Sequence, residues 1–204
     1  MIKVAGVLLA AGTSSRMGTP KQLLPLGGRG LLDIVLGETL RSDLDTVVLV
    51  LGHMAKKIKD DLTTDLHHPK LRITENNRFK EGISSSIIAG LSVVEDAYDH
   101  VMIILADMPH LTADLINHLL HQYLASRLPL GGIKVNNRRS HPVIISRRFY
   151  SEVHRLKGDV GARDLFLKYH DQVCLVDAGQ SYDDVDIDTM ADYLDVNKSM
   201  EGDT

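Results

Sequence analysis

An α/β fold with a mostly parallel sheet and helices on both faces is predicted by three features of the sequence. Apolar runs of strand length alternate with segments of helical period along the 204 residues. Val4–Ala10 is apolar without interruption, as a strand covered on both sides is. Small, cationic and acidic residues gather directly after strand-like runs, where ligands bind in such sheets.

In chain order, the pattern predicts a strand at Val4–Ala10, a helix at Leu31–Leu40 and a β-branched strand at Thr46–Leu51. Met54–Leu62 reads as a short helix with a lysine-rich outer face, and Leu71–Thr74 as a weak strand. Ser84–Glu95 reads as a helix with Ser84 or Ser85 near its start. Val101–Leu105 is a buried-type strand. Thr112 is a suitable N-cap for a helix over 113–126, whose Leu115, Ile116, Leu119, Leu120, Tyr123 and Leu124 share one face. Strands at Leu130–Val135 and Pro142–Ser146 follow. Helices are expected near Arg148–Leu156 and Gly161–Tyr169, then a strand at Gln172–Val176 and a last helix near Thr189–Leu194. Residues 1–196 read as a single domain, and 197–204 as a frayed polar tail.

The composition is that of an ordinary globular chain, 44% hydrophobic and 25% charged. Its net charge is -4 and its cations are scattered, which argues against nucleic acid as a partner. No run approaches the ~20 apolar residues of a membrane span. Cys174, the single cysteine, lies in an apolar run and reads as a small hydrophobe. Val4–Ala11 is preceded only by Lys3 and followed by a loop with better uses, so it is not read as a signal peptide. A cytoplasmic location is the default expectation.

The first strand leads into Leu9-Ala10-Ala11-Gly12-Thr13-Ser14-Ser15-Arg16-Met17-Gly18-Thr19-Pro20-Lys21. Small residues let a backbone approach phosphates closely, and successive N–H groups can cradle an anion. Arg16 can fork two phosphate oxygens, and Lys21 adds a point charge. The glycine spacing fits neither the dinucleotide fingerprint nor the Walker loop. The competing reading is an ordinary strand-to-helix turn, which rarely needs so long a small-residue loop with two cations.

The L-A-A-G-x-S-x-R-M-G-x-x-K pattern resembles the signature loop of the molybdenum cofactor guanylyl- and cytidylyltransferases, most closely the cytidylyltransferase group. That resemblance implies a Rossmann-like three-layer α/β/α fold of the nucleotide-diphospho-sugar transferase type. It also implies a loop that holds a triphosphate through Leu9, Ala10, Ala11, Gly12, Ser14, Arg16 and Lys21. It divides the domain into a nucleotide-binding part, about 1–110, and an acceptor-binding part, about 111–196. The implied partners are CTP or another nucleoside triphosphate, a phosphorylated pterin-type acceptor, and a molybdenum hydroxylase client.

A carboxylate at the end of a buried strand faces the ligand crevice, and Asp107 of Asp107-Met108-Pro109 follows Val101–Leu105. Phosphate chemistry commonly uses Mg²⁺ held by one or two carboxylates and by phosphate oxygens. Asp107 suits that role, or it simply starts a loop. Its turn also resembles the family's metal-binding turn. Asp183 and Asp184 read as a solvated acidic turn. Asp186 and Asp188 flank Ile187, so in extended backbone they share a face. Asp-Ile-Asp-Thr resembles the family's C-terminal motif, which implies a second Mg²⁺ ligand at Asp186 first and Asp188 second.

Three further segments carry the resemblance. Asn77, Gly82, Ser84 and Ser86 fall in a stretch similar to the family's N-x-x-W-x-x-G-[MI]-x-x-S, with Phe79 in place of tryptophan. As residues alone, they either cap a helix or bind a base edge or phosphate. Arg138-Arg139-Ser140-His141-Pro142-Val143 resembles R-x-G-H-P-V, with serine where the pattern has glycine, and His141 reads either as a ligand of the acceptor phosphate, the favoured reading, or as a structural imidazole. Gly158-Asp159-Val160-Gly161-Ala162-Arg163 matches G-D-x-G-A-R, with Asp159 near an N-cap and Arg163 either reaching an anionic acceptor or lying on a helix surface. His118 and His121, and the pair His67-His68, read as solvated surface.

The resemblance implies transfer of CMP from CTP to the phosphate of molybdopterin or of the molybdenum-loaded cofactor, with Arg16, Lys21 and Asp107 at the reacting phosphates. CTP is favoured over GTP because the loop reads Ala10-Ala11-Gly12 where guanylyl members have A-G-G, and the methyl of Ala11 is expected to narrow the base pocket. The rivals are a cytidylyl- or guanylyltransferase for an isoprenoid or sugar phosphate, and a non-catalytic carrier of the cofactor.

Overall fold

Every residue of the first strand, β1 (Val4–Ala10), is buried in the computed structural model of the chain, which describes residues 2–14, 17, 19–179 and 182–202. That full burial is why the run is apolar on both of its alternating faces. After a two-stranded ribbon, β2 (Pro25–Leu26) and β3 (Arg29–Gly30), the chain forms α1 (Leu31–Arg41), β4 (Thr46–Leu51), α2 (Ala55–Asp61) and β5 (Leu71–Glu75). Next come α3 (Ile83–Leu91), β6 (His100–Leu105), α4 (Ala113–Ser126), β7 (Leu130–Val135) and β8 (Arg138–Ser146). The last elements are α5 (Tyr150–Val153), α6 (Arg163–Lys168), β9 (Val173–Asp177) and α7 (Met190–Gly202).

Among the described residues the main sheet has seven strands in the order β5-β4-β1-β6-β8-β7-β9. The pairs β5–β4, β4–β1, β1–β6 and β7–β9 are parallel, and β8 runs antiparallel to both neighbours. One core lies under α1, α2, α4 and α7, and the other under α3, α5 and α6. This is the expected Rossmann-like α/β/α sandwich. On α1, Leu31, Leu32, Val35 and Leu36 are fully buried, each worth about 1.5–3 kcal/mol. Thr112 caps α4 as its sequence implies, with its Oγ1 accepting from the Leu115 N–H at 3.2 Å. No helix among the described residues is long and apolar enough to cross a membrane.

Several boundaries differ from expectation. The helix expected over Ser84–Glu95 ends at Leu91, and tight turns continue the chain. The helix expected over Arg148–Leu156 is only the four residues of α5, preceded by a 3-10 turn. The strand expected at Pro142 begins at Arg138, because the segment pairs with β7 in a hairpin, which no local propensity announces. The last helix runs to Gly202 and takes in most of the segment read as a tail. Its start is fixed by Asp192, whose Oδ2 accepts from the N–H groups of Asp188 and Thr189, while Thr189 Oγ1 accepts from the Asp192 N–H. Cys174 is half-buried against the first core rather than enclosed.

Candidate functional site

β1, β4 and β6 are parallel neighbours, so the turns that follow them open on one edge of the sheet. The loop after β1 is pinned by Gln22, which is 3% exposed. Its Nε2 donates to the carbonyls of Ala10 at 3.0 Å and Gly12 at 3.4 Å. Its Oε1 accepts from Ser14 Oγ at 3.4 Å, and that oxygen accepts from the Lys21 N–H at 2.9 Å. Ser14 takes a left-handed φ of 50° to make this fold-back. Sequence reading overlooked Gln22, and its one signal was adjacency to Pro20-Lys21. Arg16, expected at the phosphates, lies outside the described residues.

A 3-10 turn at Lys21–Leu23 aims Lys21 across the edge to the turn after β6. Its Nζ donates to Asp107 Oδ2 at 2.7 Å, Asp188 Oδ1 at 3.0 Å and the Ile187 carbonyl at 3.0 Å. Burial lowers the basicity of this ammonium, but Asp107 and then Asp188 outweigh it and leave the Lys21 pKa raised. The segment 186–188 is held by the Ile187 N–H, which donates to the Asp107 carbonyl at 3.0 Å. That bond fixes the acidic C-terminal strip beside Asp107, from 79 or more residues away in sequence. The Asp186 pKa is raised, first by burial of its carboxyl and next by the charge of Asp107.

Asp107 Oδ1 is buried and, among the described residues, has no hydrogen-bond partner. An orphaned carboxylate oxygen of this kind asks for a cation or a proton donor. Among the described residues no group of three or more His, Cys, Asp and Glu side chains forms a ready metal cage. Mg²⁺ does not need one, because it is commonly held by one or two carboxylates together with phosphate oxygens and water. Asp107 and Asp186 therefore fit such an ion.

Between the β1 loop and Asp107 lies a cavity of about 540 Å³, lined by Leu9, Ala10, Ala11, Gly12, Lys21 and Asp107 among others. Phe79, Gly82, Ile83, Ser86 and Asp159 close its other side. Asn76 locks that side in place, donating from Nδ2 to Ser85 Oγ at 2.8 Å and Ser86 Oγ at 2.9 Å. Asn77, the residue singled out from the sequence, is exposed and does not line the cavity. Ser84 is buried and faces a separate, smaller hollow.

Asp159 caps α3 rather than the helix that follows it, its Oδ1 accepting from the Ile83 N–H at 3.1 Å. This contact depends on Gly82, which has φ +97°, and a Cβ there would stand 2.3 Å from the Gly158 carbonyl carbon. His141 lies just beyond the last β6–β8 pair, Ile103 with Val143, where it meets the backbone of Ile103 and feels the charge of Asp107. Burial pushes its imidazole below the ordinary histidine range, and its Nδ1 has no partner among the described residues. Arg163 is exposed on the first turn of α6 and does not line the cavity. Asp184 is not the solvated turn residue expected, for its side chain is 7% exposed and pairs with Arg138 at 2.8 Å.

The structure thus brings Leu9, Ala10, Ala11, Gly12, Lys21, Gly82, Ser86 and Asp107 to one cavity, with Asp186 and Asp188 at its acidic end. Residues 6–173 match the MobA-like NTP transferase domain. The chain is 30% identical to Nicotine blue oxidoreductase of Paenarthrobacter nicotinovorans, over 92% of this chain and 93% of that protein. It is 31% identical to Purine catabolism protein PucB of Bacillus subtilis, over 96% of each. Molybdenum cofactor cytidylyltransferase of Escherichia coli is 26% identical over 69% of each chain. Among solved structures, the Mycobacterium tuberculosis rv0371c homolog from Mycobacterium sp. strain JC1 superposes with a TM-score of 0.85, at 27% identity over 98% of both chains.

Proposed function

We propose, from the premise that this chain belongs to the MobA-like NTP transferase family, that it transfers CMP from CTP to the phosphate of molybdopterin or of its molybdenum-loaded form. One observation carries the reading. A single cavity has a small-residue backbone loop on one wall and Asp107 on the other, with Lys21 joining them. The family resemblance of the loop and the Escherichia coli cytidylyltransferase relative support CTP and the pterin acceptor.

In the proposed reaction an oxygen of the acceptor phosphate forms a bond to the α-phosphorus of CTP. The bond from that phosphorus to the β-phosphate oxygen breaks, and pyrophosphate leaves. A phosphate monoester is already an anion near neutral pH, so no general base is needed. Positioning and charge neutralisation do the work. The backbone from Ala10 to Gly12, braced by Gln22, receives the polyphosphate. Lys21 turns from Asp107 to the phosphates as they arrive. Phe79 offers an apolar plane to the base, and Ser86 offers a hydroxyl. Asp107 and Asp186 would hold Mg²⁺, which when bound offsets the negative charge that builds on the α-phosphate.

The test is pyrophosphate release from each ribonucleoside triphosphate with Mg²⁺ and a phosphorylated pterin. Release is expected with CTP and to need the acceptor, and Asp107→Asn should lower it by about 10²-fold or more. Release with a sugar or isoprenoid phosphate alone would reassign the acceptor. No release with any triphosphate would overturn the transferase reading in favour of a carrier.

A further inference from the structure

We propose that Arg139 and Arg163 form a two-guanidinium clamp for a phosphate monoester, which under the function proposed above is the reactive phosphate of the acceptor. In the resembling R-x-G-H-P-V motif the arginine position is Arg138, and Arg138 is engaged, bound to Asp184 at 2.8 Å. Arg139 is the next residue, in the unspecified position, and takes the opposite face of β8.

The course of Arg139 is unusual for a cation. Its stem lies flat on β7, where a Cβ on Gly132 would come within 3.1 Å of its Cγ and 3.2 Å of its Cδ. Its guanidinium stands 4.3 Å over the ring of Phe166 on α6. Arg163 is three residues before Phe166, one helical turn away on the same face. The two guanidiniums therefore converge, and among the described residues neither forms an ion pair. Burial first, and then the charge of Arg163, disfavour the charged form of Arg139. A partly desolvated cation beside a like charge is costly unless an anion completes it. Two forked, planar donors suit the several oxygens of a phosphate better than a single carboxylate.

The clamp is also placed for the reaction. His141, two residues on, feels the charges of both Arg139 and Asp107 and meets the backbone of Ile103 on β6. Arg163 follows the loop whose Asp159 lines the main cavity.

The experiment titrates phenyl phosphate against the full chain by calorimetry, with benzoate as the carboxylate counterpart. The wild type is expected to bind phenyl phosphate saturably and benzoate at least about ten-fold more weakly. Arg139→Ala and Arg163→Ala should each weaken phenyl phosphate about ten-fold or more, and Arg139→Lys should weaken it less than Arg139→Ala. Lys21→Ala should leave it unchanged. Equal binding by the double variant Arg139→Ala/Arg163→Ala, loss with Lys21→Ala alone, or no binding by the wild type would each overturn the clamp. Benzoate binding as tight as phenyl phosphate would overturn its assignment to phosphate. Arg163 is exposed, so its variant is expected to melt as the wild type does and serves as the folded control. Arginine-dependent binding without any pyrophosphate release from CTP would leave the clamp standing and remove the transferase reading, and the converse result would remove the clamp alone.

Discussion

Lys21 Nζ lies 2.7 Å from Asp107 Oδ2, so the ammonium from the β1 loop rests on the same carboxylate that fits a divalent ion. Side-chain exposures of 15% and 19% place the pair out of most solvent screening. Lys21→Met should therefore lower stability by about 1–3 kcal/mol in the absence of metal, because Asp107 and Asp188 lose their shared cation. The same variant should bind Mn²⁺ alone about ten-fold more tightly than the wild type, since the ion no longer competes with a tethered charge. Thermal melts with and without Mn²⁺, and a Mn²⁺ titration without nucleotide, check both. Weaker Mn²⁺ binding by the variant would show that Lys21 does not compete for the site.

Gly82→Ala tests the seam between the cavity and the second half of the chain. The left-handed φ of +97° and the 2.3 Å approach to the Gly158 carbonyl carbon leave no room for a methyl group. A cost of at least about 1–3 kcal/mol is expected from strain alone. Displacement of the 158–161 loop should also free the Ile83 N–H from Asp159 and weaken triphosphate binding. A variant with wild-type melting and nucleotide affinity would show that the seam is not tight.

Acid sensitivity should come partly from His100. Its Nδ1 is 2.9 Å from the hydroxyl of buried Tyr123, and burial lowers its pKa. With a folded pKa below the unfolded one, the unfolded chain takes up the proton first as the pH falls. The contribution of His100 is complete above the ordinary histidine value of about 6.5 and is lost as the pH drops toward the folded value. Melting temperatures between about pH 7 and pH 5 should thus fall more steeply for the wild type than for His100→Gln. Parallel slopes would assign the acid limb to other groups.

Under the proposed function, Ala11 sets the base preference by its size. It is 4% exposed, and a Cβ on Gly52 would come within 2.8 Å of its own Cβ, so the methyl fills the floor between the β1 loop and the end of β4. Ala11→Gly should raise turnover with GTP relative to CTP by several fold. An unchanged ratio of kcat/KM for the two triphosphates would place base selection elsewhere, with the Phe79 side of the cavity as the next candidate.

The strands and the β1 loop were legible because their signals are local. Unbroken apolar runs mark Val4–Ala10 and Thr46–Leu51, and Thr112 announces α4 one residue ahead. What escaped the sequence depends on pairings between distant segments. The antiparallel β7–β8 hairpin brings Arg139 over Phe166, and nothing in the neighbourhood of Arg139 foretells that stack. Asp184 looked solvated because its neighbours are acidic, yet Arg138, 46 residues away, draws it in. Asp159 sits before α6 but caps α3, and Gln22 braces a loop that lies 10 to 12 residues before it in the chain.

The cap from Asp159 to Ile83 spans 76 residues and ties a late loop to the mouth of an early helix. Neither half of the chain can therefore supply a finished pocket by itself. A truncated N-terminal piece would expose the amide ends of α3 to water and lose one wall for its ligand.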